Sequence, residues 1–355
     1  MSPSPYRWHP LSRPARLALG LPESIVQRAA GAPIEIDGRR LATATQAMLT
    51  IGNRLGMRGG EPANIEVSTA RQEMRRITPI GMPTRRDVDT SERIIEVAQP
   101  DDTIRLRIYR PATSEPTRAI VYAHGGGWVV GDLDTHDGTC RVIAAESNTT
   151  VIAVDYRLAP EFRYPTPLAD VITAYRWVHN NADELDLADT QISVMGDSAG
   201  GHLVACLALR ALDRTQQIPL PHAQVLVYPA VDLTMTAPST TSMGTGFGLT
   251  NDAMVWYRSA FLGDDISYDD PAVSPLFASS HAGLPPTYIL TAGFDPLRDD
   301  GAAYAHALRD AGVSVRLRCF DDQIHGFFGM GVLPGGLERI ESISRTVGRL
   351  VYDGG

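Results

Sequence analysis

The sequence predicts an α/β fold in which a mostly parallel central sheet carries helices on both faces, with a helical cap above the sheet. The main observation is alternation, because short apolar strand candidates are separated by helical patterns over much of the chain from residue 119 onward. Residues 1–85 and about 231–275 depart from this alternation and predict the cap. The 355 residues are enough to bury one large core.

The strand candidates begin with a hairpin, in which residues 93–98 and 103–109 flank the turn sequence Pro100-Asp101-Asp102. The later candidates are short and apolar, and they are residues 119–123, 151–155, 192–195, 223–228, 288–291 and 315–320. The last of them, with its lead-in from residue 313, is interpreted as an edge strand that could pair with a second copy of the chain, so a homodimer is possible. Function is expected at the carboxyl ends of the strands.

Helical spacing of apolar residues predicts the remaining elements. The predicted helices between and after the strands are residues 168–180, 201–214, 301–311 and 337–351. Those of the cap are residues 24–30, 41–55, 65–74 and 251–262, the last with Thr250 or Asn251 as N-cap. We therefore expect an N-terminal helical cap segment at 1–85 and a catalytic domain at 86–355, which contains a second cap segment at about 231–275.

The most informative motif is Gly196-Asp197-Ser198-Ala199-Gly200, which lies between the apolar run 192–195 and the apolar helix 203–212. A serine on a tight strand-to-helix turn needs small neighbours, because the backbone crowds in while the hydroxyl faces outward. The following helix directs its dipole and its free amides, among them that of Ala199, toward the serine. The pattern also arises by chance, so it only suggests a nucleophile.

A second glycine cluster, His124-Gly125-Gly126-Gly127-Trp128, follows the apolar run 119–123. Consecutive glycines let backbone amides approach a substrate oxygen closely, which favours an oxyanion loop. A glycine-rich turn without a ligand is the alternative. Neither of the glycine-rich phosphate-binding patterns can be read here.

A nucleophilic serine requires a base and an acid that orients the base. In folds that carry the serine on such a strand-to-helix turn, called a nucleophile elbow, the three residues follow in the order Ser, Asp, His. Asp295 follows the strand candidate 288–291, and His325 lies on the expected loop after residue 320. Both are expected at the carboxyl ends of strands. Asp197, Asp299 and Asp300 are interpreted as structural or solvated.

These motifs together resemble the hormone-sensitive-lipase-like branch of the α/β-hydrolases, the bacterial family IV carboxylesterases. The resemblance covers about residues 90–350, and besides the two glycine motifs it rests on Asp155-Tyr156-Arg157-Leu158-Ala159-Pro160-Glu161, Ser274-Pro275-Leu276, Leu284-Pro285-Pro286, Asp295-Pro296-Leu297-Arg298-Asp299 and His325-Gly326-Phe327. The 123 residues before His124 are long for the family.

The resemblance implies the α/β-hydrolase fold and a serine carboxylesterase that forms an acyl-enzyme from esters of short to medium acyl chains. It assigns Ser198 as nucleophile, His325 as general base and Asp295 as the residue that orients the base. It also assigns the amides of Gly126, Gly127 and Ala199 to the oxyanion hole, and residues 155–161 to support of the oxyanion loop. No metal or organic cofactor is implied.

Two alternatives stay open. The same triad could serve an amidase or a deacetylase of acetylated small molecules. The fold also serves as a non-catalytic ligand-binding module, although the presence of His325, Ser198 and Asp295 argues against a module that has lost catalysis. Aromatic and methionine residues in the second cap segment could line an acyl pocket but are more typical of core, and these are Phe247, Met254, Trp256 and Tyr257.

Composition excludes some partners. A net charge of −9 and a pI near 5.5 argue against nucleic-acid binding, and no run of about 18 apolar residues predicts a membrane span. The three cysteines, Cys140, Cys206 and Cys319, lack metal-ligand spacing and are expected to be buried thiols. With no signal-like segment at the amino terminus, we expect a cytoplasmic enzyme acting on a small-molecule ester.

Overall fold

The computed structural model describes residues 4–54, 66–97, 102–112, 118–187, 191–263 and 265–353. The short strands of the N-terminal segment are β1 (Tyr6–Arg7), β2 (Glu35–Ile36), β3 (Arg39–Arg40) and β4 (Thr84–Arg85). The strands of the main sheet are β5 (Val88–Glu96), β6 (Thr103–Pro111), β7 (Ala119–Ala123), β8 (Thr150–Asp155), β9 (Ile192–Asp197), β10 (Gln224–Val227), β11 (Thr287–Phe294) and β12 (Val315–Ile324).

The helices of the N-terminal segment are α1 (Ser12–Leu19), α2 (Glu23–Ala30), α3 (Thr43–Arg54) and α4 (Val67–Gly81). Within the α/β part lie α5 (Asp137–Ser147), α6 (Thr166–Asn180), α7 (Ala199–Leu212), α10 (Arg298–Asp310) and α11 (Gly336–Asp353). Residues 231–275, the predicted second cap segment, contain α8 (Pro238–Met243) and α9 (Asn251–Leu262). No helix among the described residues combines the length and apolar character that a bilayer span needs.

The eight-stranded sheet has the order β12-β11-β10-β9-β7-β8-β6-β5, and β12 therefore lies at an edge as expected. The pairs β5–β6 and β6–β8 are antiparallel, whereas β8–β7–β9–β10–β11–β12 are parallel. Alternate side chains of each strand enter different cores: Val121 packs with α6 and α7, and Tyr122 packs with α5 and α11. The expected α/β-hydrolase fold, with helices on both faces of a mostly parallel sheet, is confirmed.

The strands lie where the sequence predicts them, but several bounds differ. β5 runs from Val88 to Glu96 instead of 93–98, and other strands end later than expected. β11 extends to Phe294 and β12 to Ile324, so residues 292–294 and 321–324, which we interpreted as loop, are strand. A register shift between Ala292 and Phe294 accommodates the extension. The N-terminal segment supplies partners for the polar end of β12, because Ala42 N donates to the Asp322 carbonyl at 3.0 Å. Such partners, remote in sequence, are not visible in a local pattern.

Some helices differ from expectation. The helix α5, between β7 and β8, is not among the helices that the sequence predicts. The helix α1 was not expected because prolines interrupt residues 1–22, and α4 runs to Gly81 with Pro79 inside it rather than ending at residue 74. The helix α9 has the expected bounds, and the side chain of Thr250 caps it by accepting from Ala253 N at 3.2 Å. The turn expected at 100–102 falls mostly outside the described residues.

Candidate active site

Ser198 lies at the turn between β9 and α7. Its backbone has φ 54° and ψ −119°, a conformation that is strained for a residue with a side chain. The Ser198 amide donates to the Val227 carbonyl at 2.8 Å, which ties the turn to the neighbouring strand β10. The turn also requires glycine, because a Cβ on Gly200 would lie 2.0 Å from the Ala123 carbonyl oxygen. Two strands therefore hold the serine in its strained position.

His325 and Asp295 immediately follow the adjacent parallel strands β12 and β11, so the two side chains meet at one edge of the sheet. His325 Nε2 lies 2.9 Å from Ser198 Oγ, and His325 Nδ1 lies 2.8 Å from Asp295 Oδ2. Asp295 is fully buried, and the Leu297 amide donates to its other oxygen, Oδ1, at 2.8 Å. This hydrogen-bonded chain of hydroxyl, imidazole and carboxylate can move a proton away from the serine oxygen.

The glycine loop after β7 lies against the serine turn. Gly126 has φ 121° and Gly127 has φ 58°, and the Gly126 carbonyl accepts from the amides of Val129 and Val130 at 3.1 and 3.0 Å. The amides of Gly126 and Gly127 donate to no acceptor within the described part of the chain. Ala199 is the first residue of α7, where an amide has no partner within its own helix. Gly126, Gly127, Ala199 and Ser198 line one cavity.

This cavity has a volume of about 210 Å³ and two kinds of wall. The turn at Ser198, the glycine loop at residues 124–128 and His325 form one wall, which we call the framework wall. The other wall, which we call the cap wall, is mainly apolar. It comes mostly from the predicted second cap segment, through Leu233, Met235, Leu249, Met254 and Tyr257.

The aromatic and methionine residues that we interpreted as core divide between the cavity and its surroundings. Met254 and Tyr257 line the cavity, and a Cβ on Gly127 would lie 2.2 Å from the Tyr257 ring. Phe247 packs instead with Phe294 in a separate apolar cluster, and Trp256 lies against the ring of Tyr257. Burial raises the pKa of Tyr257 to about 12.

Comparisons with known proteins agree with this architecture. A family model described as alpha/beta hydrolase fold matches residues 120–329. The chain is 39% identical over 311 residues to the carboxylic ester hydrolase LipN of Mycobacterium tuberculosis, covering 86% of this chain and 82% of LipN. The chain belongs to the hormone-sensitive-lipase-like branch of the α/β-hydrolases.

Other relatives and solved structures extend the likeness. An ethyl acetate hydrolase of Pseudomonas putida is 38% identical over 64% of this chain and 73% of its own length. The crystal structure of an alpha/beta hydrolase from the metagenome of Lake Arreo, Spain, superposes with a TM-score of 0.80 at 34% identity, covering 87% of this chain and 98% of that one. The chain is therefore an enzyme of the serine hydrolase class.

In this hydrolase, residues 155–161 lie under the glycine loop. The Tyr156 hydroxyl donates to the His124 carbonyl at 2.8 Å, and the Ala159 amide donates to the Trp128 carbonyl at 2.9 Å. Arg71, from α4 of the N-terminal segment, joins them, because its Nε donates to the Val129 carbonyl at 2.8 Å. Sequence reasoning missed Arg71, since nothing in α4 marks one arginine among several.

Asp197, interpreted as structural or solvated, is buried and links the elbow to the glycine loop of the hydrolase. Its Oδ1 accepts from the Gly125 amide at 2.9 Å and from the Tyr122 hydroxyl at 2.6 Å, with His136 Nε2 at 3.6 Å. Burial opposes ionisation, but His136 and the hydroxyl of Tyr122 outweigh burial and hold the pKa of Asp197 below its usual range. The carboxylate thereby anchors the loop at Gly125.

His202 makes a second link. Trp128 Nε1 lies 3.1 Å from His202 Nδ1, and His202 Nε2 lies 2.8 Å from the Val273 carbonyl. Burial, only partly opposed by the bond to Val273, lowers the pKa of His202 to about 4. The ring is therefore neutral near pH 7, accepting from Trp128 and donating to Val273. The sequence signal that could have indicated this link is a single histidine among the otherwise apolar residues 199–209.

Of the other two acids near Asp295, Asp299 is partly exposed and Asp300 is buried. Asp299 accepts from the Ser239 amide at 2.9 Å and pairs with Arg298 at 2.7 Å. Burial, together with the charges of Asp232 and Asp295, raises the pKa of Asp300 well above its usual range. Within the ranges that the structure describes, no three His, Cys, Asp or Glu side chains are grouped so that they could hold a metal ion.

Proposed function

We propose that this hydrolase is a carboxylesterase that uses Ser198 as nucleophile, His325 as general base and Asp295 to orient the imidazole. The observation that carries the proposal is the continuous hydrogen-bonded chain from Ser198 Oγ through both nitrogens of His325 to a buried carboxylate, at 2.9 and 2.8 Å. The strained backbone of Ser198 supports it, because such strain is concentrated at functional sites.

In the proposed reaction, Ser198 Oγ attacks the ester carbonyl carbon while His325 Nε2 takes the hydroxyl proton. The carbonyl oxygen becomes an oxyanion, which the amides of Gly126, Gly127 and Ala199 bind. The tetrahedral intermediate then collapses, and the same proton passes from His325 to the departing alcohol. Water repeats the sequence on the acyl-enzyme and releases the carboxylic acid.

We further propose esters of short to medium acyl chains, about acetyl to octanoyl, as substrates. The apolar cap wall and the small cavity, about 210 Å³, support this choice. A relative named for the hydrolysis of ethyl acetate supports the short end of the range.

The test compares p-nitrophenyl acetate, butyrate and octanoate with the p-nitroanilide of butyric acid. We expect ester turnover in the parent, and a loss of about four orders of magnitude or more in kcat for Ser198→Ala. Ser193→Ala is the matched control, because Ser193 is also buried in β9 and should leave turnover intact. Near-parent turnover by Ser198→Ala would remove the proposed nucleophile, and faster cleavage of the anilide than of the ester would make the protein an amidase.

The remaining proposals concern assembly and compartment. We propose a homodimer that pairs through the edge strand β12, a cytoplasmic location, and no nucleic-acid partner. The exposed edge of the sheet supports the first, and the unpaired thiols of Cys140, Cys206 and Cys319 support a reducing compartment. Sedimentation velocity at micromolar concentration should give the mass of two chains. The mass of one chain would exclude this dimer.

A further inference from the structure

Arg258, on α9, lines the same cavity as Ser198. Two contacts fix its guanidinium. The guanidinium carbon lies 3.7 Å from the centroid of the Tyr268 ring, and Nη1 donates to the Leu233 carbonyl at 2.7 Å. A cation stacked on an aromatic face and tied at one nitrogen keeps a defined plane, so its other donors have fixed directions.

The protein leaves this cation incompletely bonded. Within the described residues, no carboxylate oxygen lies within 4 Å of the Arg258 guanidinium, and Nε is buried without an acceptor. Other inward-facing arginines differ, because Arg157 pairs with Asp170 at 2.8 Å and Arg298 pairs with Asp299 at 2.7 Å. A charged donor on a mainly apolar wall gains most from an acceptor that enters with the substrate.

The position of Asp232 favours an uncharged hydrogen-bond acceptor over a negatively charged one. It is buried and lines the same cavity, and its Oδ1 is occupied by the Thr234 amide at 2.8 Å and by the Thr234 hydroxyl. The cavity wall therefore already carries one negative and one positive side chain. A carboxylate on the substrate would add an uncompensated charge near Asp232, whereas an uncharged carbonyl oxygen would accept from Arg258 without changing the balance.

We propose that Arg258 is a specificity-determining residue that selects esters carrying a second, uncharged carbonyl group, such as keto esters and diesters. The proposal rests on the proposed esterase function and adds a substrate class to it. The reacting carbonyl binds at the glycine loop, the second carbonyl oxygen accepts from Arg258, and the chain between them lies along the apolar cap wall.

The experiment measures kcat/KM for two matched pairs of esters, one for each side of the scissile bond. Ethyl 4-oxopentanoate is compared with ethyl pentanoate, and 4-oxopentyl butyrate with pentyl butyrate. The selectivity ratio, keto ester over plain ester, is determined for the parent, Arg258→Met and Arg258→Lys, so that intrinsic reactivity cancels between variants. We expect Arg258→Met to lower the ratio about tenfold or more for one pair, because kcat/KM should fall more for the keto ester than for the plain ester.

Arg258→Lys separates recognition from folding, because it keeps a charged donor but loses the planar fork, and it should restore part of the ratio. Equal ratios in the parent and both variants for both pairs would overturn the proposal, as would an equal fall in the rates of plain and keto esters. Monoethyl glutarate, which carries a carboxylate, tests a charged acceptor. An Arg258-dependent preference for it over the keto ester would overturn the choice of an uncharged acceptor. If ester turnover persists in Ser198→Ala, the esterase proposal has failed instead, whatever the ratios.

Discussion

The two walls of the cavity at Ser198 are built in different ways. In the framework wall, Ser198, Gly126 and His325 lie at strand ends and tight turns, and the polar groups beneath them are hydrogen-bonded at 2.6 to 3.1 Å. In the cap wall, Leu249 and Met254 present mainly apolar surface from a segment outside the sheet. Backbone geometry and buried hydrogen bonds thus fix the atoms that we propose as reacting groups, whereas side-chain volume shapes the space beside them.

The walls meet at Trp128 and His202. The Trp128 ring stacks on Phe261 of the cap helix α9 with centroids 4.4 Å apart, and His202 joins Trp128 to the Val273 carbonyl beyond that helix. The framework should therefore respond to small changes of backbone or charge by losing rate or stability. The cap wall should respond mainly by changing selectivity.

Among the three tests of this comparison, the largest effect is expected at the framework wall, from Gly126→Ala. A Cβ at Gly126 would lie 2.1 Å from the Val130 carbonyl oxygen, and the positive φ of 121° disfavours any side chain. Either the loop moves or its amides turn away from the oxyanion. We expect kcat for p-nitrophenyl butyrate to fall about 100-fold or more, as after other oxyanion-hole lesions, while KM changes little.

Gly312→Ala is the control for this prediction. Gly312 also has a positive φ, 80°, but a Cβ there would meet no atom within 4 Å, and the residue lies between α10 and β12 away from the cavity. That variant should lose some stability in urea and keep its kcat. Parent-like kcat in a folded Gly126→Ala variant would mean that the loop amides do not bind the oxyanion.

The residues of the framework wall are the ones best predicted from the sequence, because they belong to short local motifs. The spacing of apolar runs predicted that Ser198, Asp295 and His325 follow three strands of one sheet, and the fold brings them together. Their catalytic roles, like those of the loop amides, stay predictions.

Contacts between remote segments could not be predicted in the same way. Arg71 reaches the Val129 carbonyl from α4, and Arg258 is an ordinary helix residue until its stacking on Tyr268 is known. The cap wall illustrates the limit, because Phe247 and Met254 are equally apolar in the sequence. Only the packing of α9 above the elbow places Met254 in the cavity and leaves Phe247 outside it.

The second prediction concerns His202, where the two walls meet, and the dependence of the free energy of unfolding on pH. Burial lowers the pKa of His202 to about 4 from an ordinary 6.5, so between these values the unfolded chain binds more protons than the folded one. The stability that this group contributes is present above about pH 6.5 and is lost as the pH falls toward 4. For this residue alone, the free energy of unfolding should decrease by about 2 kcal/mol between pH 7 and pH 5.

Urea unfolding of the parent and His202→Asn at pH 7 and pH 5 measures this contribution. The variant should be less stable at pH 7, because Trp128 and Val273 lose their partner, but its stability should depend less on pH. His306→Asn is the control, since His306 is exposed on α10 and the parent's pH dependence should survive its replacement. An equal loss of stability on acidification in the parent and in His202→Asn would show that His202 is not held neutral at the junction.

The smallest effect is expected at the cap wall, from Met254→Ala. Removing the side chain enlarges the cavity without touching Ser198 or the glycine loop, so chemistry should be preserved while longer chains gain space. We expect kcat for p-nitrophenyl butyrate to stay within about threefold, and the octanoate-to-butyrate ratio of kcat/KM to rise about threefold to tenfold. Steady-state kinetics on both esters measures the ratio.

Met243→Ala is the matched control because Met243 is a buried methionine of the same cap segment that packs with Phe247 rather than lining the cavity. Both variants should lose stability through lost packing, but only Met254→Ala should shift the ratio. A shift of the same size in both would mean that the cap segment acts through its overall stability. A large fall in kcat for Met254→Ala would show instead that the cap wall helps to position the reacting groups, and the division between the two walls would no longer hold.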